Sequence, residues 1–136
     1  MINSPRLRNI ISYAFFIYLL MFSFYSLADA KPWVGTYTST TSLMPSEFLV
    51  AAKQKGEDIS STYPKMVLRR NGSFHMIFFD QVQDKGSYTV RGKQLLTVKK
   101  NKQTGKEQTD DSAKFAQGYK SFNIKMGSES WTFTRE

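Results

Sequence analysis

The sequence predicts a mainly β fold: an antiparallel up-and-down β-barrel of about seven or eight strands, with one short helix after the first strand. Three observations carry this. After Pro64 short apolar runs alternate with turn residues about every 8–12 positions, the spacing of a sandwich or barrel. The runs follow one another as hairpins, which favours a closed meander without bare edges. Helix start and stop signals occur once in the rest of the chain, between Pro45 and Gly56.

The elements follow in order. Trp33 to Thr40 alternates: Trp33, Gly35 and Tyr37 fall on one face, Val34, Thr36 and Thr38 on the other, the period of two that a strand requires. Pro45 opens a helix that runs to about Lys55. Glu47 suits its positive end and Gly56 stops it. Phe48, Ala51, Ala52 and Lys55 share one face of this helix, with Phe48 as the expected anchor on the core. Glu57 to Tyr63 is polar and reads as a loop. Lys65 to Arg69 is a strand. The turn at Arg70-Asn71-Gly72-Ser73 carries the strongest short hairpin signal, and Phe74 to Asp80 returns. Gln81 to Lys85 reads as a turn, Gly86 to Val90 as a strand, and Arg91-Gly92-Lys93 as a tight turn into Gln94 to Lys99. Asn101 to Gly105 is a loop. Lys106 to Lys114 is weakly patterned and fits either an edge strand or disorder. Tyr119 to Met126 and Ser130 to Arg135 close the set, with Phe122, Ile124, Trp131 and Phe133 facing inwards.

The first thirty residues belong to none of this. Arg6 and Arg8 precede an uncharged run from Ile10 to Leu27, which ends on Ala28-Asp29-Ala30. A basic start, an apolar stretch and a small-x-small site in that order make a signal peptide cleaved after Ala30. An uncleaved anchor is the alternative, because about 18 apolar residues just span a bilayer. Either way, residues 31–136 form a single exported domain, periplasmic or secreted.

The chain has no cysteine and one histidine, His75. Thiol chemistry, disulfides and Cys-ligated metals are therefore excluded, and a metal site would need carboxylates to complete it. His75 sits on a strand, on the face opposite Phe74 and Met76, so a structural or solvent-facing role is expected. No Ser lies in a nucleophile motif and no glycine-rich loop leads a strand into a helix. The adjacent acids Glu57-Asp58 and Asp110-Asp111 lie in polar segments without the ladder of oxygen ligands that calcium needs. No catalytic residues, metal or cofactor are expected, and the protein is read as non-enzymatic.

The formal net charge is +8, and residues 1–30 contribute only Arg6, Arg8 and Asp29, leaving about +7 on the domain. A basic exported domain favours anionic partners: lipid headgroups, glycans or acidic proteins, rather than nucleic acid in that compartment. The densest charge lies at Arg91, Lys93, Lys99, Lys100, Lys102 and Lys106. It reads as a basic rim, or as edge lysines that block aggregation.

The motif Trp33-Val34-Gly35-Thr36-Tyr37, a helical segment near Phe48 and the later Gly86-Ser87-Tyr88 resemble the lipocalin and fatty-acid-binding group of barrels, the calycins. The helix after the first strand is nearer the fatty-acid-binding branch. The resemblance implies a lipocalin-like barrel. The chain departs from the group where Trp33 precedes Gly35. The Arg-x-Tyr carboxylate anchor of the fatty-acid binders is also missing from Trp131-Thr132-Phe133-Thr134-Arg135-Glu136. A fatty-acid ligand is therefore not implied.

Two functions are consistent with these features. In the first, Trp33, Tyr37, Phe74, Met76, Phe78, Tyr88, Phe122 and Ile124 line a barrel that holds a small apolar or amphipathic ligand, and the protein works as a monomer. In the second, the barrel interior is filled, and the domain is an envelope interaction module, inhibitor-like or immunity-type, that binds an acidic protein.

Overall fold

Alternation along the strands decides what is inside. In β1 (Gly35–Ser39) Tyr37 and Ser39 are buried, in β2 (Lys65–Leu68) Met66 and Leu68, and in β3 (Ser73–Phe78) Phe74 and Met76. β4 (Gln81–Arg91), β5 (Gln94–Lys100), β6 (Glu107–Phe115), β7 (Ser121–Met126) and β8 (Glu129–Arg135) complete the set. Each strand pairs antiparallel with its chain neighbours, and β8 returns to β1, so the eight strands form one closed barrel. The seam is set by Tyr37↔Arg135, Thr38↔Thr134 and Ser39↔Phe133. This is the calycin-like architecture expected from the sequence. The computed structural model describes residues 31–136. The expected signal peptide and its cleavage after Ala30 lie outside the described residues.

The Asn71-Gly72 hairpin forms as a three-residue loop. Arg69 donates its N–H to the Ser73 carbonyl (2.9 Å), and only Gly72 adopts positive φ, 86°. Asn71 acts through its side chain, accepting from Ser73 N and Oγ at 3.0 and 2.6 Å. Glycine at the left-handed position after such a turn is the usual solution for this loop length.

Two expectations are corrected and one alternative is resolved. Helix α1 (Ser46–Gln54) forms as expected between Pro45 and Gly56, but Ala52 is its buried residue. Phe48 is 59% exposed and anchors nothing. Ala52 is the helix's one buried side chain, so the domain covers a methyl here and offers no groove for the Phe48 ring. Gln81 to Lys85 is strand rather than turn: the reversal is made by Phe79 and Asp80, with φ of 53° and 62°. A phenylalanine in the left-handed region is costly; here Phe79 is held by its N–H donating to the Ser61 carbonyl at 3.1 Å. Lys106 to Lys114 is mostly β6, paired with β5 and β7. It is ordered strand, and up to Ala113 it pairs with β5 alone, so the edge-strand alternative holds over most of its length. The expected loop Glu57 to Tyr63 contains a single 3-10 turn, Ser60–Thr62.

The barrel has two unlike ends. One carries the Arg70–Gly72 and Gly92 turns and the crossing at Ala116–Lys120, and it is packed with aromatic rings. Phe122 stacks on Phe133 with centroids 5.1 Å apart and planes 7° from parallel. Phe122 also meets Tyr37 at 5.1 Å and Phe115 at 5.5 Å, both edge-on. Trp33 and Phe115 close over Tyr119 at 5.6 and 5.1 Å. Tyr37 has no exposed surface, and its hydroxyl lies 2.9 Å from the Trp33 carbonyl and 3.0 Å from the Tyr119 carbonyl, so its proton is shared between them. The opposite end carries α1, the Phe79-Asp80 turn and the Asn101–Gly105 loop, and there the interior is not filled.

Candidate functional site

The unfilled end follows from strand parity. Along β5, Leu95, Thr97 and Lys99 share the inward face, and Leu95 and Thr97 are buried. Along β4, Tyr88, Gly86 and Asp84 do the same. Residues directly opposite in an antiparallel pair share a face. Between β5 and β6 the register steps by one residue, from Leu95↔Ala113 to Thr97↔Asp110. This bulge brings Asp110 and Gln108 onto the side of Thr97 and Lys99. Charged and polar groups therefore point inwards at this end, where the aromatic end has rings.

The result is a cavity of about 530 Å³, within the range of small-molecule sites. Met66, Phe74, Met76 and Ile124 form an apolar floor, and Thr97, Asp84, Lys99, Gln108 and Asp110 a polar wall. Asp110 is fixed by accepting from Ser112 N and Oγ at 2.8 and 2.6 Å. The same Ser112 hydroxyl accepts from Lys125 N at 3.3 Å. It bridges β6 to β7 where their ladder, limited to Lys114↔Asn123 and Phe115↔Phe122, has ended.

A second opening adjoins the first. The β4–β5 ladder stops at Ser87↔Val98. Beyond it β4 remains with β3, while β5 remains with β6. The strands diverge around a lateral cleft of about 1090 Å³. Asp84 Oδ2 and Lys99 Nζ meet at 3.1 Å and border both cleft and cavity. Their side chains are 41% and 42% exposed, so the pair contributes at most about 1 kcal/mol.

The structure brings together only part of the expected ligand-binding set. Phe74, Met76 and Ile124 line the cavity. Tyr37 and Phe122 belong to the packed aromatic end, and Trp33 and Phe78 pack partly buried against the core. Tyr88 is buried and donates its hydroxyl to the Arg69 carbonyl; burial pushes its pKa above 10.0. Met66, Thr97, Asp84, Gln108 and Asp110 were missed. Met66 was legible, because it alternates with Leu68 on β2. The expected rim is divided: Arg91 and Lys93 flank Gly92 at the aromatic end, while Lys99, Lys100, Lys102 and Lys106 lie a strand length away, about 20 Å, at the open end.

His75 faces outwards on β3, opposite Val67 and Lys85. Burial first, and the Arg69 charge second, hold its pKa below 6.5. Because the folded value is depressed, the unfolded chain binds the proton first as pH falls. Stability from this group is complete above about pH 6.5 and is lost as pH drops through the lower folded value. Melting temperatures from about pH 7.5 to about pH 5 should show a shallow decline that His75→Gln removes. An equal decline in the variant would assign it to other groups. Comparison with protein-family models, with curated proteins and with solved structures gives no match to this chain.

Proposed function

We propose that this is an exported, non-enzymatic binding protein that holds the apolar part of a small amphipathic molecule inside the barrel. One observation carries the reading: the interior is packed at one end and open at the other, and the open end has an apolar floor beneath a polar mouth. A cavity that is apolar at depth and polar at its opening matches a molecule with the same division. The floor of Met66 and Met76, flexible side chains that adapt to varied shapes, supports tolerance in the apolar part.

The test is titration with an environment-sensitive fluorophore on a medium-length alkyl chain. Saturable enhancement at one site per chain is expected. Met76→Trp, which fills the floor, should weaken binding at least about tenfold, a loss of about 1.4 kcal/mol, while leaving the circular dichroism spectrum unchanged. No saturable enhancement with the native protein would sink the reading.

A further inference from the structure

The lateral cleft has features that interior ligand binding does not use. Its β4 side, Val82 to Lys85, has no ladder partner across the opening among the described residues, because pairing with β5 begins at Ser87 and the Val98 backbone already packs against Gly86. An unpaired strand edge presents backbone N–H and C=O groups ready to receive another strand. This edge is about 13 Å long at the usual rise per residue. At its start the Phe79 and Val82 side chains are 51% and 57% exposed. Exposed apolar side chains beside polar ones are a feature of interaction sites.

The charge on the cleft selects the partner. Asp84 and Lys99 neutralise each other. The remaining charged lining is Lys85, Lys100 and Lys102 against Glu107. Edge lysines oppose pairing with a neutral or basic strand and with a second copy of this edge, which would set lysine against lysine. They favour an acidic one. We infer that the cleft between β4 and β5 takes an extended acidic peptide segment of a partner protein. The segment adds as a strand to the Val82–Lys85 edge, rests an apolar side chain on Phe79 and Val82, and directs its carboxylates to Lys85, Lys100 and Lys102. This site is separate from the cavity floor and does not depend on the ligand reading above.

The experiment uses a fluorescein-labelled peptide of alternating valine and glutamate, with two controls: lysine in place of glutamate, and a central proline. Anisotropy should rise saturably for the acidic peptide alone, and amide resonances of Val82 to Lys85 should shift in the ¹⁵N-labelled protein. The double change Lys100→Glu with Lys102→Glu lies where it leaves the core untouched, and it should weaken the acidic peptide at least tenfold. Met76→Trp should leave peptide binding unchanged, which separates this site from the cavity. Several results would overturn the inference: no saturable acidic-peptide binding, equal binding of the lysine peptide, or shifts confined to other strands. Concentration-dependent dimerisation blocked by Gln83→Pro would overturn it in favour of a second copy as the occupant.

Discussion

Phe122→Ala is expected to cost about 3–5 kcal/mol, measured by urea unfolding with the slope unchanged. Phe122 is 1% exposed, stacks on Phe133, and meets Tyr37 and Phe115 edge-on. Removing its ring deletes the transfer free energy of the side chain. It also leaves a void bounded by three other rings, which cannot collapse into it because each is held by its own strand. A domain of this size has a total stability of about 5–15 kcal/mol, so the change removes a large share of it. The melting temperature should fall by roughly 15 °C or more. Phe48→Ala is the contrast. It deletes the same ring from an exposed helix face and should stay within about 0.5 kcal/mol. Equal losses in the two variants would mean that the aromatic end is not the core.

Gly86→Ala should be nearly as damaging, for the opposite reason. A Cβ at Gly86 would stand 2.1 Å from the Val98 carbonyl oxygen and 3.0 Å from the Phe74 ring. No Cβ tolerates the first contact, and the obstacle is backbone rather than a side chain that can swing away. β4 must therefore separate from β5 at the point where their ladder begins. The expected cost is about 3 kcal/mol, the upper part of the range for overpacking. Faster amide exchange at Ser87 and Val98 should accompany it. Gly105→Ala calibrates the result: nothing lies within 4 Å of its Cβ and its φ is +68°, so only the left-handed backbone cost, about 1 kcal/mol, applies. A Gly86→Ala loss no larger than that would show that the close approach is relaxed in solution.

What the sequence makes legible depends on whether local pattern and tertiary environment agree. Phe74, Met76 and Asn71-Gly72 are read correctly because alternation, turn chemistry and burial all point one way. Gln81 to Lys85 is misread because its pattern is polar apart from Val82. It is polar because β4 has left β5 there and is largely exposed, so no alternation is needed. Phe79 in the left-handed region is invisible to turn preferences, since the group that holds it is the Ser61 carbonyl from a distant loop. Asp84, Lys99 and Asp110 are recognisable as charges but not as cavity lining. Their inward direction rests on strand parity, and for Asp110 on a one-residue bulge. Phe48 shows the limit of helix periodicity: it gives a face but not whether the domain offers a groove for it.

The seam between β1 and β8 has a consequence for the order in which the molecule can be made. Every other strand pairing joins neighbours in the chain and can form as soon as the later strand has been synthesised. The Tyr37↔Arg135 registration joins residues at opposite ends of the domain, so the growing chain exists for most of its synthesis as an unclosed ribbon. During that period the β1 edge is bare, Phe122 lacks Phe133 as a neighbour, and the ribbon is exposed to aggregation. The seven residues of β8 thus act as a timer: the barrel cannot shut until they are present.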